Sequence, residues 1–571
     1  MQYIELTVHT TSQASEIVSD IMWNYTDFGV TICDKNDIIA LQKDKESTFW
    51  DYMDDELTLN PQAETLVKCY IQTDIAENTI ASILSDIQNA KQLSGGEIPF
   101  GSLEDTKRTV DGDDWIDVWK NGDHTHTLRT PVGGDHPLEI KRLRKRAVKL
   151  GLYNLLKEIT GIRPPWGSLT GIRPTRLLYE GMEQGLDRDA AIQRVIREFD
   201  VTPDRAQLLG DISDMQKGIL HPAKDEFDLY IGIPFCTTRC SYCSFASGEI
   251  GAGKLVEPYV NALLKEIELC GQLIRERGLK LRAGYIGGGT PTAIPCRDLD
   301  RILEKAQKEF PGAVEWTVEA GRPDTIDREK LLMLKNRNVG RISVNPQTFC
   351  DDTLRIIGRA HTGADTIRAY ELARSVGFDD INMDLIAALP GETPEIFNAT
   401  LDKVIELDPE SVTVHALAIK RSSKLHEMMH VSEGAHNQVS AEGAMDMITA
   451  ARHRLTQAGW NPYYLYRQKY MAGNLENVGY SKRGKACLYN IGNMEETASV
   501  LALGAGAITK WLYDRDIYSA AQGLDVEAMR FANLQLRIER APNVRNVEQY
   551  ILRIEEMVER KRALILPEVS K

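Results

Sequence analysis

Six short apolar runs, at 228–233, 283–287, 313–319, 340–345, 380–386 and 411–418, are separated by amphipathic stretches of helical length, among them 256–277, 299–309 and 364–376. Strands that alternate with helices in this way pair in parallel, because a parallel neighbour is reached only through a crossover long enough to hold a helix. The expected fold class is therefore α/β, with six units at 226–420 forming a partial (β/α)6 barrel. Each run ends in polar or glycine residues, and barrel enzymes build their sites at those strand ends.

Directly after the first run, in DLYIGIPFCTTRCSYCSFAS, Cys236, Cys240 and Cys243 stand at Cys-x3-Cys-x2-Cys spacing. Three thiolates are one short of a closed tetrahedral zinc site, yet they can hold three irons of a [4Fe-4S] cluster and leave the fourth open to a small chelating molecule. A labile zinc loop and three unrelated buried cysteines are the competing readings. After the second run, Gly287-Gly288-Gly289-Thr290-Pro291-Thr292 offers backbone that a ligand can approach closely, although a tight turn explains the glycines equally well. The third run ends in Glu319, the fourth leads to Gln347, the loop beyond carries Arg359 and His361, and the fifth contains Asp384. A zwitterion attached to a ribose needs a carboxylate near its ammonium, a cation near its carboxylate and an acceptor for its hydroxyls. All three chemistries occur here in strand-end order.

The flanks of a 571-residue chain are too long to be ornaments of one barrel. Residues 1–123 hold 24 acidic and 8 basic side chains, a net charge of −16, so the other 448 residues sum to about +1. Strands near 3–8, 29–32 and 66–71 with helices near 12–24 and 76–87 make this a small α+β domain of ferredoxin-like type. Residues 124–137, HTHTLRTPVGGDHP, read as a linker. The region 138–225 starts with a basic helix, whose charges form either a solvated face or an attraction for an anion such as a polycarboxylate. It then repeats Thr-Gly-Ile-Arg-Pro at 160–164 and 170–174, and Arg163 or Arg173 there is either a surface residue or a clamp for a carboxylate. Residues 421–571 cover the barrel. Tyr463, Tyr464, Tyr466, Arg467, Gln468, Asn474, Glu476 and Asn477 form either a satisfied polar core or the aromatic, amide-bearing floor of a flat ligand's site. No run of eighteen apolar residues, no signal-like start and nine scattered cysteines point to a cytoplasmic protein with no membrane span. A nucleic-acid footprint is not expected at this charge.

The segments LYIGIPFCTTRCSYCSF, YIGGGTPT, TVEAGRPDTI, RISVNPQTF, GRAHT and INMDLIAALPGET together resemble the oxygen-independent coproporphyrinogen III oxidase family of radical S-adenosylmethionine (SAM) proteins. PWGSLTGIRPT before the barrel and YYLYRQKYMAGNLENVGY after it resemble the HemZ branch, and the likeness spans roughly 138–562. It implies a radical SAM barrel with α-rich flanking regions. In that reading Cys236, Cys240 and Cys243 ligate the [4Fe-4S] cluster and Tyr230 and Tyr242 line the SAM pocket. Gly288, Gly289, Thr290, Glu319, Gln347, Arg359, Asp384 and Ala418 contact SAM.

The implied reaction is anaerobic oxidative decarboxylation of coproporphyrinogen III to protoporphyrinogen IX in heme biosynthesis, with a flavodoxin or ferredoxin type electron donor. Phe245 is a departure: the founding oxidases carry a fourth cysteine there, and the family's heme-trafficking relatives do not. The resemblance therefore also admits a heme-binding trafficking protein that keeps the cluster and SAM site, or an anaerobic heme-degrading radical SAM methyltransferase. Residues 1–123 separately resemble the substrate-docking domain of a ribosomal protein methyltransferase, through YIELTVHTTSQASEIVSDIM, GVTICD and DDWIDVWKNG. Their acidity suits docking of an electron donor or another basic partner.

Overall fold

A computed structural model describes residues 3–26, 30–33, 65–72, 76–93, 105–111, 114–121, 124–131, 137–171, 173–245, 247–420, 423–425, 439–468, 471–514 and 536–566. They divide into two compact units that meet in the chain between Arg163 and Pro164.

In the first unit β1 (Tyr3–Thr10), α1 (Ser12–Trp23), β2 (Val30–Cys33), β3 (Thr65–Gln72), α2 (Ala76–Leu93) and β4 (Asp105–Asp111) run in β-α-β-β-α-β order. Strand order β2-β3-β1-β4 with antiparallel neighbours is the ferredoxin-like arrangement. Its core follows from periodicity. Leu6 and Val8, and Val67, Cys69 and Ile71, sit two apart on strands, while Val18 and Met22, and Ile80, Ile83 and Ile87, sit three or four apart on helices.

Two further antiparallel strands, β5 (Asp114–Asn121) and β6 (His124–Pro131), extend the sheet, and α3 (Pro137–Thr160) packs against both. The stretch expected as a linker is thus largely an edge strand in register from Asn121↔His124 to Asp114↔Pro131. The basic helix expected in front of the barrel belongs to the first unit. An edge strand pairs on one side only and tolerates a polar sequence, so hydropathy does not distinguish it from a linker.

The second unit begins with three helices, α4 (Thr175–Glu183), α5 (Arg188–Phe199) and α6 (Pro203–Gln216). Six parallel strands follow: β7 (Glu226–Ile233), β8 (Lys280–Gly288), β9 (Glu315–Glu319), β10 (Arg341–Ser343), β11 (Ile381–Ala387) and β12 (Ser411–Ala416). They pair in chain order, as successive right-handed crossovers require. The linking helices include α7 (Val256–Arg277), α8 (Cys296–Glu309), α9 (Arg328–Asn336), α10 (Gly363–Val376) and α11 (Pro394–Leu407).

The C-terminal flank supplies strands as well as helices, and these close both open edges of the barrel. Beyond β12 lie β14 (Asn477–Ser481) and β13 (Asn461–Tyr466), which follow α12 (Ala441–Gln457) in the chain. After α13 (Leu488–Glu495), β15 (Val500–Leu503) pairs in parallel with β7, and β16 (Ile508–Asp514) and β17 (Leu536–Pro542) complete an eleven-stranded sheet. Among the described residues no helix is long and apolar enough to cross a membrane.

A buried polar knot joins the last helix, α14 (Ile554–Ile565), to the first barrel strand. Lys561 and Glu266, both 0% exposed, are 2.8 Å apart. Glu266 also accepts from Asn543 Nδ2 (2.8 Å), Tyr550 Oη (2.6 Å) and the backbone of Gly504 (2.8 Å). Gly504 has φ +100°, and a Cβ there would lie 2.4 Å from Gly232 O. Tyr259 Oη donates to that same carbonyl at 2.5 Å, four residues before Cys236. The end of the chain therefore holds the root of the cysteine loop.

Candidate active site

At the C-terminal ends of the barrel strands lies a cavity of about 410 Å³. It is lined by every residue expected to hold the cluster or SAM: Cys236, Cys240, Cys243, Tyr230, Tyr242, Gly288, Gly289, Thr290, Glu319, Gln347, Arg359, Asp384 and Ala418. His361 is not brought to it, and is buried with Nδ1 3.7 Å from Asp324.

The cysteine loop is fastened by its own backbone. Phe235–Cys236 pairs with Gly248–Glu249, Ile250 N donates to Cys236 O (2.8 Å), and Ser241 N donates to Ile357 O (3.0 Å). The glycine run closes against this loop: Gly289 N donates to Ile233 O and Thr290 N to Phe235 O, each at 2.7 Å. A Cβ at 289 would lie 2.5 Å from Phe235 O and 3.0 Å from Cys236 Sγ. The missing side chain thus makes room first for the protein's own cysteine loop. Gly289→Ala is expected to displace that loop, lowering iron content after reconstitution and destabilising the fold by about 1–3 kcal/mol, the usual cost of overpacking. Iron assay and thermal melting check both effects.

Gln347 has φ +65°, a left-handed conformation unusual for a side chain with a Cβ. It is held there by Gln347 N→Asp384 O (2.9 Å) and Ile386 N→Gln347 O (3.0 Å), and its buried Oε1 has no hydrogen-bond partner among the described residues. Asp384 accepts from Asn345 (2.7 Å) and Asn382 (2.8 Å). Arg359 donates to Gly321 O (2.9 Å) and Tyr242 Oη (3.4 Å), while its buried Nε has no partner among the described residues. Tyr285 donates to Glu319 at 2.6 Å and lies in a ring column with Tyr230 and Tyr489. Burial, with Asp384 nearby, pushes the Glu319 carboxyl up to about 7.

A second carboxyl of this kind lies outside the cavity lining. Glu392 is buried without a partner in bonding geometry among the described residues, and burial pushes it up to about 7 against a pull from the Thr348 and Thr353 hydroxyls. The native state therefore keeps this proton at pH values where the unfolded chain, with an ordinary value of 4.5, has lost it. Stability contributed at this position falls as pH rises from 4.5 to 7, then stays at its lowest. Glu392→Gln is expected to be neutral near pH 4.5 and to stabilise by about 1–3 kcal/mol above pH 7, measured by urea unfolding across that range.

Reading the sequence missed Tyr285, Asn382 and His415, which also line the cavity. Asn382 and His415 stand two residues from Asp384 and Thr413, both in the lining, so strand alternation was the available signal. Burial lowers the His415 pKa, which favours neutral imidazole, and Tyr466 Oη lies 3.4 Å from its Nδ1. The polar cluster of the C-terminal flank divides. Tyr464, Tyr466, Gln468 and Asn477 line the cavity. Glu476 and Arg467 instead hold the buried Trp166, whose Nε1 donates to Glu476 (2.7 Å) and whose ring lies under Arg467 (5.4 Å). Arg467 also takes the Asn474 carbonyl (3.0 Å). Arg173 is not a free carboxylate clamp either: it binds Met494 O (2.6 Å) and Glu496 (2.9 Å).

The donor set fits an iron-sulfur cluster with SAM. Three sulfurs share one cavity, an arrangement that suits a group offering a separate iron to each. Thr290 Oγ1 lies 3.6 Å from Cys236 Sγ. Burial, with Cys240 and Cys236 nearby, pushes the Cys243 thiol up, and positively charged iron would offset both effects. The unpaired Gln347 and Arg359 atoms supply an acceptor and a donor for a zwitterionic ligand.

A cysteine loop and strand-end polar groups on a partial barrel define a radical SAM domain, and residues 230–404 match the Radical SAM superfamily. That superfamily uses a [4Fe-4S] cluster and SAM. Within it, the chain belongs to the family of oxygen-independent coproporphyrinogen-III oxidase-like proteins represented by HemZ. It is 40% identical to HemZ of Bacillus subtilis (strain 168), over 65% of this chain and 75% of that one. It is also 35% identical to the heme chaperone HemW of the same organism, over 35% of this chain and 52% of HemW. Among solved structures, coproporphyrinogen III oxidase (HemN) from Escherichia coli matches with 21% identity and a TM-score of 0.45, covering 62% of this chain and 73% of that one.

Proposed function

We propose that the protein converts coproporphyrinogen III to protoporphyrinogen IX without oxygen, by oxidative decarboxylation of two propionates in turn. When bound, the reduced cluster and SAM supply a carbon-centred radical that takes a hydrogen atom from the β-carbon of a propionate. Loss of carbon dioxide, with one electron passing to an external one-electron acceptor, would then leave a vinyl group. Cys236, Cys240 and Cys243 hold the cluster. Arg359 and Gln347 orient the methionine end of SAM, and Asp384, fixed by Asn345 and Asn382, takes its ribose. Tyr464, Tyr466, Gln468 and Asn477 offer a flat aromatic wall with amides for the tetrapyrrole and exclude water from the radical's path. A flavodoxin or ferredoxin type carrier delivers the reducing electron.

The observation carrying this reading is that the motif residues and the tyrosine-amide wall share one cavity. The HemW match and the 70% exposed Phe245 favour a second reading, in which the site binds heme and turns nothing over. Anaerobic incubation of reconstituted protein with SAM, reductant and coproporphyrinogen III is expected to yield 5′-deoxyadenosine and vinyl products. Absence of both, with stoichiometric heme uptake, favours the second reading.

A further inference from the structure

Arg322, in the Gly-Arg-Pro-Asp turn after β9, lines the cavity and is engaged with the cysteine loop itself. Its buried guanidinium reaches that loop twice. Nη1 donates to Thr238 O at 3.0 Å and is 4.0 Å from Cys240 Sγ. Asp324 fixes it through contacts to Nε (3.0 Å) and Nη2 (3.4 Å). The same carboxylate accepts from Thr237 Oγ1 at 2.9 Å. A cation and its counter-ion are thus clamped to Thr238 and Thr237, between the first two cysteines. Arg359, another buried guanidinium of this cavity, donates to Gly321 O and Tyr242 Oη instead.

Reduction of an iron-sulfur cluster adds one negative charge to it. A buried positive charge and an N–H directed at a ligand sulfur favour that reduced form, whereas a neighbouring carboxylate opposes it. We propose that Arg322 is a positioning residue for the cluster potential. It makes the one-electron couple easier to reduce through the Cys240 sulfur, and Asp324 sets how much of its charge the cluster feels. The proposal rests on the cluster and not on which tetrapyrrole the protein takes.

The test is an anaerobic redox titration of the reconstituted full-length protein, followed by electron paramagnetic resonance, with dithionite as reductant and no tetrapyrrole present. Its outcome is therefore independent of the proposed reaction. Arg322→Gln is expected to shift the midpoint to more negative potential and Asp324→Asn to more positive potential, with Arg322→Lys between Arg322→Gln and wild type. Opposite signs distinguish electrostatic tuning from a loosened loop, which moves both variants the same way. Shifts of one sign, or wild-type potentials in both variants at full iron content, overturn the proposal. Should Arg322→Gln not take up four irons, Asp324→Asn decides, and a midpoint unchanged or more negative overturns it.

Discussion

Cys240→Ala is expected to leave a folded, colourless protein that cleaves no SAM. In the proposed site each of the three thiolates would hold one iron, so the loss of one would leave two attachment points for a four-iron group, too few for the cluster to survive purification. The cysteine itself contributes little to the fold. Its neighbours stay fixed by Ser241 N→Ile357 O (3.0 Å) and Leu425 N→Ser241 O (2.7 Å), and Cys240 lies outside the barrel core. Far-ultraviolet circular dichroism and the melting point of the apoprotein should therefore match wild type, while iron, sulfide and 5′-deoxyadenosine fall to background. A brown Cys240→Ala protein with unaltered turnover would sink the iron-sulfur mechanism. A colourless wild type carrying stoichiometric zinc would do the same.

Lys561→Met should destabilise the fold strongly, by about 3–5 kcal/mol. That is the usual cost of stripping one partner from a fully buried ion pair. Glu266 would keep its hydrogen bonds to Asn543, Tyr550 and Gly504 but lose its cation where no water reaches it. Methionine fills a similar volume, so the loss reports charge rather than packing. Adding Glu266→Gln removes the stranded charge and should restore a large part of the stability, a coupling that a double-mutant cycle in urea measures. A single variant that unfolds at the wild-type midpoint would show that the pair contributes nothing.

The barrel was legible because strands such as β7 and β8 are buried along nearly their whole length, so each reads as a near-continuous apolar run. The residues expected at the site were found in one cavity because most of them lie at or just beyond strand ends, where the sequence pattern places them. What escaped were partnerships between distant residues. Nothing near Trp166 announces Glu476, 310 positions away, and nothing near Arg173 announces Glu496. Arg173 was readable as a ligand-facing residue, and only the assembled fold shows it turned to the protein's own Glu496. The edge strand His124–Pro131 escaped for the opposite reason: its pairing is local, but its polar sequence lacks the hydrophobic alternation by which a half-buried strand is recognised.

The knot between Glu266 and Lys561 also imposes an order of events on biosynthesis. While the ribosome is still working through the barrel, the carboxylate on α7 has no cation, and the carbonyl of Gly232 lacks the glycine turn that later closes over it. The mooring of the cysteine loop is finished only once residues 554–565 have been made, so the berth proposed for the metal centre takes its final form after the barrel itself has been synthesised.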